Sequence, residues 1–264
     1  MNKGNKGLTN IGATCYLNSA IQCLIHLDVL NPRNDEFKEN IRKSKRKEYS
    51  LLKQWIQLYK EMWDDSNSDI IQTMDFVRTF IRRCNEEKIY FEVLNQNDVS
   101  EFLTGFINIL HEEICRNVNI TIRGEPENDM DRLQVKSINT WGDFFKKSYS
   151  LIIQQFYSQS INLTTCPECN YNTINLDPVM IINLEFDSNT ESIYDCLNEY
   201  TKQFELDEEN KWTCDKCNKQ VLCQKKNKLW KLSPVVIFMI KQYVDNKSKI
   251  DKFIKYPRLL NMDS

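Results

Sequence analysis

The sequence has no run of about 18 apolar residues, so no membrane-spanning helix is expected. Its first residues, Met1 to Gly7, are polar and basic with no apolar stretch behind them, which argues against a secretory signal peptide. Charge of one sign is also lacking: 35 Lys and Arg against 37 Asp and Glu leave a formal charge of -2. A general nucleic-acid binder needs a net basic surface, so that class is excluded. Glycine and alanine are scarce while Asn, Ile and Lys are abundant, a bias that reads as genome composition rather than function. Histidine is as scarce as alanine, with two residues each in 264. There is no internal repeat, no low-complexity segment and no clear linker. With 41% hydrophobic and 27% charged residues, the chain can still bury a sizeable core, as one large domain or two small ones.

Cysteine is plentiful, with ten residues. A disulfide framework belongs to short exported chains, and this one is long and carries no export signal. Four cysteines form two pairs, Cys166-Pro167-Glu168-Cys169 and Cys214-Asp215-Lys216-Cys217, and the other six show no pairing pattern. Each pair presents two thiolates on a tight turn, and two such turns make a tetrahedral four-thiolate zinc site, one zinc per chain. Redox chemistry is the alternative for Cys-x-x-Cys, but two copies flanked by strands favour structural zinc. A reducing compartment follows, so an intracellular location, cytoplasmic or nuclear, is expected. Forty-four residues separate Cys169 from Cys214, leaving room for a strand and a helix over residues 182–204.

Apolar spacing predicts helices at Leu17–Ile25, at Leu51–Trp63 and, most clearly, at Val99–Ile114, with Asp98 and Glu101 able to cap the last. The charged stretch 33–50, with Arg42, Lys43, Lys45, Arg46 and Lys47, reads as a solvated helix face or loop. Residues 123–131 read as a loop, and strand-like texture follows. Ile182, Leu184 and Phe186 alternate with polar residues, and Val235–Ile240 is an apolar run suited to a buried central strand. Ser192–Phe204 suggests a short helix. Helices first and strands later make the fold class α+β, divided at about residue 120.

The segment Gly7-Leu8-Thr9-Asn10-Ile11-Gly12-Ala13-Thr14-Cys15-Tyr16-Leu17-Asn18-Ser19 carries the chemistry. Gly12 permits a tight approach of the chain. Cys15 falls at the expected start of a helix, where free backbone N–H groups and the positive end of the helix dipole favour a thiolate. Asn10, on the preceding loop, can turn its amide NH2 to the same point and stabilise an oxyanion formed by thiol attack on a carbonyl. A lone cysteine is ordinarily a small packed residue, but this surrounding pattern overturns that reading.

The pattern closely resembles the cysteine box of the ubiquitin-specific proteases, papain-like deubiquitinases with thumb, palm and fingers regions. A second block, Asn95-Gln96-Asn97-Asp98-Val99-Ser100-Glu101-Phe102-Leu103, is similar to the family's Gln-containing box. The resemblance implies Cys15 as nucleophile, Asn10 as oxyanion donor, Asp98 and Gln96 as contacts to substrate, and Cys166, Cys169, Cys214 and Cys217 as a structural zinc site in the fingers. For Asp98 a plain helix cap competes with the ubiquitin contact. The implied reaction is thiol attack on the bond after the C-terminal Gly of ubiquitin. Ubiquitin or its conjugates are the expected partners of a monomer, with neither nucleic acid nor membrane involved.

A thiol protease also needs a base. His26 lies eleven residues from Cys15 on one predicted helix, about 16 Å away at about 1.5 Å per residue, and His111 reads as a packed residue near a helix end. The resemblance puts the family's histidine beyond Lys252-Phe253-Ile254-Lys255-Tyr256-Pro257, a segment close to the end of these 264 residues. A C-terminally incomplete catalytic domain, poor in hydrolysis by itself, is therefore expected. Two rivals remain: a ubiquitin-binding module without catalysis, and a zinc-ribbon interaction protein that never touches ubiquitin.

Overall fold

The computed structural model describes residues 3–45, 49–64, 68–91, 95, 97–242 and 250–262. In chain order the first elements are β1 (Gly7–Leu8), α1 (Cys15–Leu24), α2 (Asp35–Lys43), α3 (Ser50–Trp63), β2 (Ile70–Ile71), α4 (Met74–Glu86) and α5 (Val99–Ile114). Next come α6 (Asp129–Phe145), α7 (Leu151–Phe156), β3 (Ser158–Thr165), β4 (Asn172–Val179), β5 (Ile181–Leu184) and α8 (Ile193–Thr201). The last are β6 (Phe204–Glu205), β7 (Trp212–Thr213), β8 (Gln220–Val221), β9 (Gln224–Lys231) and β10 (Ile237–Ile240). The chain forms two compact units: Met1–Thr121 with Phe145–Gln155, and Ile122–Phe144 with Phe156–Ser264.

The first unit is helical because its apolar residues recur at helical spacing and meet in one core. Leu17, Ile21 and Leu24 of α1, Leu51, Trp55 and Met62 of α3, Phe76 and Phe80 of α4, and Phe102, Phe106 and Leu110 of α5 are all buried. Their rings interlock, with Phe80 and Phe102 edge-on at 5.1 Å and Trp55 tilted against Phe106 at 5.3 Å. Gly105 lets α5 approach α4, since a Cβ there would stand 3.3 Å from the Phe80 ring. The buried Glu113 of α5 accepts from the backbone N–H of Leu51 and Leu52 at 3.1 and 2.8 Å, capping α3 with negative charge where the helix dipole favours it. Arg83 of α4 lies 3.3 Å from the same carboxylate, so one ion pair ties three helices together. The charged stretch 33–50 contains α2, a solvated helix in which Glu39 pairs with Arg42 and Lys43 at 2.7 and 2.8 Å. Arg46 and Lys47 lie outside the described residues.

The second unit is built on an antiparallel sheet in the order β4-β3-β9-β6. A register shift between Gln159 and Ser160 marks a bulge, with Gln159 opposite Lys231 and Ser160 opposite Leu229. α8 begins in a capping box: Ser192 and Asp195 exchange side-chain and backbone hydrogen bonds. It covers a core of Ile182, Leu184, Ile193, Cys196, Leu197 and Ile254, and Phe204, expected at the end of this helix, belongs to β6.

Several expectations need correction here. Residues 129–131 belong to α6, a 17-residue helix rather than a loop. α6 is fastened to β3 and β9 by Ser137, which donates to Gln159 at 2.5 Å and accepts from the Trp230 indole at 3.0 Å. The Val235–Ile240 run is not a buried central strand. Only Ile237–Ile240 is extended, all four residues are half-buried, and among the described residues β10 pairs with β5 alone. Pro234 cannot donate to a ladder, and Ser233 ties its hydroxyl to the Val235 carbonyl at 2.8 Å, so the chain bends before the strand starts.

Candidate functional site

The Cys15 segment enters from β1, which pairs in parallel with β2 through Gly7↔Ile70 and Leu8↔Ile71. The Thr9 carbonyl accepts from Asn18 at 3.1 Å and from the Thr73 hydroxyl at 2.9 Å, which fixes where the loop begins. Gly12 and Ala13 then turn the chain through positive φ values of 105° and 47°. A Cβ at Gly12 would meet nothing within 4 Å, so backbone conformation rather than space calls for glycine there. α1 starts at Cys15 itself, and its N-cap Thr14 gives no side-chain hydrogen bond to the first turn. The first-turn N–H groups of α1 are thus left without a side-chain cap, beside an exposed thiol.

Asn10 is organised by its carbonyl end. Oδ1 accepts from the Gly12 N–H at 3.1 Å, the Thr14 N–H at 3.3 Å and the Thr14 hydroxyl at 3.0 Å. Thr14 is fully buried, so these donors hold the oxygen against the inside of the loop. Asn10 itself is exposed, and its NH2 is left on the other side of the carboxamide.

Asp98 is the N-cap of α5, its carboxylate accepting from the Ser100 N–H at 2.7 Å, so the capping role is real. Its neighbour Asn97 donates to the Tyr16 hydroxyl at 3.4 Å, a long contact that links the start of α5 to the residue after Cys15. Burial raises the Tyr16 phenol above its usual value, and Cys15 and Glu101 add charge in the same direction, against the Asn97 hydrogen bond. Cys15 and Asp98 therefore share one end of the helical unit. Gln96 lies outside the described residues.

Neither histidine belongs to this site. His26 contacts the Gln22 carbonyl at 2.7 Å through Nδ1 and the Gly4 carbonyl at 2.9 Å through Nε2. His111 is buried between two serine hydroxyls, Ser150 at 2.7 Å on Nδ1 and Ser148 at 2.9 Å on Nε2. Burial alone holds its imidazole down at about 4. It stands thirteen residues along α5 from Asp98, about 20 Å at about 1.5 Å per residue.

The four paired cysteines come together in the second unit. Cys166–Asn170 joins β3 to β4, and Cys214–Asn218 lies between β7 and β8. The two turns are copies of one another. Asn170 N–H donates to the Cys166 carbonyl at 3.0 Å and Cys166 N–H to the Tyr171 carbonyl at 2.9 Å. Asn218 N–H and Cys214 N–H repeat the pattern at 2.8 and 2.9 Å. Asn170 and Asn218 have φ of 54° and 55°, the left-handed conformation that Asn tolerates better than most residues. All four sulfurs lie within 4.8 Å of one another. The Cys166–Cys217 and Cys169–Cys214 separations are 3.8 and 3.7 Å. A tetrahedron with metal–sulfur bonds of about 2.3 Å has edges of about 3.8 Å, so the residues fit a four-coordinate thiolate metal. Burial pushes the Cys169 thiol up to about 12. Burial also opposes ionisation of Cys214, but the backbone N–H groups of Cys217 and Lys216 outweigh it and bring that thiol to about 7. Cys223 is equally buried against this cluster without joining the four.

Sequence reasoning missed Thr14, Tyr16 and the two asparagines. Asn170 and Asn218 had a visible signal, since an Asn directly follows each Cys-x-x-Cys. Thr14 had none, because nothing in a sequence tells a hydroxyl that orients a neighbour from one that merely packs.

The sequence profile described as ubiquitin carboxyl-terminal hydrolase matches residues 6–264. Human ubiquitin carboxyl-terminal hydrolase 2 is 26% identical over 265 residues, covering 97% of this chain and 43% of that protein. Drosophila melanogaster ubiquitin carboxyl-terminal hydrolase Usp2 is 28% identical, covering 99% of this chain and 28% of that protein. A solved SAGA Ubp8/Sgf11/Sus1/Sgf73 DUB module bound to ubiquitin aldehyde shares the fold, with a TM-score of 0.66 at 21% identity over 98% of this chain and 53% of that one. The chain thus spans about half the length, or less, of the proteins it matches. On the profile match across nearly its whole length, the chain belongs to the ubiquitin carboxyl-terminal hydrolase family.

Proposed function

We propose that this chain supplies the nucleophile, the oxyanion donor and a zinc-stabilised fingers region of a cysteine-type deubiquitinase. The observation that carries the reading is the Asn10–Cys15 loop, where three donors hold the Asn10 carbonyl inward beside an exposed thiol at a helix start. Cys15 Sγ attacks the carbonyl of the ubiquitin C-terminal Gly. The carbonyl oxygen becomes an oxyanion that the Asn10 NH2 and the uncapped first-turn N–H groups of α1 can meet. Collapse releases the amine and leaves a thioester, which water hydrolyses. The leaving amine needs a proton and the water must lose one, and neither His26 nor His111 is placed for either transfer.

Asp98 serves twice in this reading, as the cap of α5 and as an acidic partner for the arginines of the ubiquitin tail, and Gln96 joins it in substrate contact. Cys166, Cys169, Cys214 and Cys217 hold one zinc, which stabilises the second unit and takes no part in the chemistry. Among the described residues no helix is long and apolar enough to cross a membrane, and the protein works as an intracellular monomer on ubiquitin conjugates. The test is turnover of a fluorogenic ubiquitin amide. Activity that Cys15→Ala abolishes with unchanged melting supports the reading, and activity that survives Cys15→Ala removes it.

A further inference from the structure

We propose that the Thr14 hydroxyl is the positioning group of the Cys15 site, fixing the Asn10 carboxamide in the orientation that turns its NH2 outward. The proposal rests on the reading of Asn10 as oxyanion donor and goes beyond it by naming the group that sets the donor's direction. A carboxamide is nearly isosteric about its last bond, so a half-turn would replace the NH2 by an oxygen facing the oxyanion. Water satisfies either orientation of an exposed Asn10, so solvent alone does not choose between them.

Thr14 supplies two of the three donors that make the choice. Its Oγ1 accepts from the Ile11 N–H at 3.2 Å, which directs the single hydroxyl proton elsewhere, and the acceptor at 3.0 Å is Asn10 Oδ1. Thr14 is fully buried, so water does not compete for that proton. The Thr14 and Gly12 backbone N–H groups add two more donors to the same oxygen. A flipped Asn10 would set its NH2 against the two backbone N–H donors and leave the buried Thr14 N–H and O–H without their acceptor. The positive φ of Gly12 and Ala13 is what brings these donors around one point. Threonine is therefore more than a small residue before the nucleophile: one hydroxyl latches the loop at Ile11 and aims Asn10.

Thr14→Val keeps the branched shape and deletes only the hydroxyl, while Thr14→Ser keeps the hydroxyl. In the full-length protein acting on a fluorogenic ubiquitin amide, Thr14→Val is expected to lower kcat about tenfold with KM nearly unchanged, the size of one lost hydrogen bond. Thr14→Ser restores kcat. In an Asn10→Ala background the kcat penalty of Thr14→Val shrinks to that of the lost Ile11 bond, because the group it aims is gone. A packing role alone would lower melting temperature and leave the penalty in place in that background, which would overturn the proposal. A second measurement does not depend on turnover: the side-chain NH2 resonances of Asn10 in an amide-labelled sample. They are expected to hold their shifts in Thr14→Ser and to move toward those of a solvated Asn in Thr14→Val, where only the backbone N–H groups of residues 12 and 14 remain on Oδ1. Asn10 resonances unchanged by Thr14→Val would also overturn the proposal. A wild-type protein whose Cys15 captures no ubiquitin electrophile but whose Asn10 signal still depends on the Thr14 hydroxyl would defeat the deubiquitinase reading and leave the positioning role standing.

Discussion

Cys15 and the Cys166–Cys169–Cys214–Cys217 cluster use one side chain in opposite ways. Cys15 is exposed at a helix start whose backbone donors have no side-chain cap. Cys166 and Cys214 are fully buried, and each turn closes its backbone hydrogen bonds before its sulfurs meet the other pair. At the start of α1 the N-cap gives no side-chain hydrogen bond, whereas around the cluster backbone hydrogen bonds close both turns. The two histidines also differ in burial, with His26 exposed and His111 buried between serines, and neither belongs to the Cys15 site. Burial and the local hydrogen-bond pattern, more than residue type, set these cysteines apart.

Metal removal should break this contrast most strongly. Elemental analysis is expected to give one zinc per chain, and chelation or Cys166→Ser to unfold the second unit, since structural zinc contributes on the order of 10 kcal/mol to small folds. The readout is loss of β-sheet circular dichroism while the helical signal of the first unit persists. Zinc-free protein with unchanged melting would contradict the assignment.

Acid should test the burial of His111. Burial holds His111 at about 4, below the 6.5 of an ordinary imidazole, so the folded form binds fewer protons than the unfolded chain. Its contribution is intact above about pH 6.5 and is lost as pH falls through about 4, a change of up to about 3 kcal/mol. Denaturant titrations across that window should show the decline, and His111→Gln should flatten it.

The smallest effect separates the two roles of Asp98. Asp98→Ala removes the α5 cap and should cost about 1 kcal/mol of stability. Asp98→Asn keeps a capping oxygen and deletes the charge, so stability should hold while ubiquitin binding, followed by titration with labelled ubiquitin, weakens. Equal binding by Asp98→Asn and wild type would leave only the cap.

How far the sequence revealed these regions follows from what each signal consists of. α1, α3 and α5 were legible because their apolar residues repeat at helical spacing, and the cluster because two identical spacings repeat. α4 went unread although Phe76, Val77, Phe80 and Cys84 lie on one face, because polar and charged residues crowd between them. α6 was hidden by its contacts: its buried positions are Ser137 and Gly142, so polar hydrogen bonds rather than an apolar stripe hold it to the sheet. β10 misled because an apolar run tells nothing of how many strands will flank it, and Ser233 and Pro234 shorten it. Around Cys15, the sequence marks Cys15 and Asn10 by residue type and spacing, whereas the Thr14 contact to Asn10 exists only once the loop is folded.

The most direct test of Cys15 as the nucleophile aimed at ubiquitin is covalent capture. The protein is incubated with ubiquitin carrying a C-terminal vinyl electrophile, and the adduct is mapped by peptide mass spectrometry. One ubiquitin per chain, attached at Cys15 and absent from Cys15→Ala, is the predicted result. No adduct, or an adduct on Cys23 or another thiol that persists in Cys15→Ala, would contradict the account.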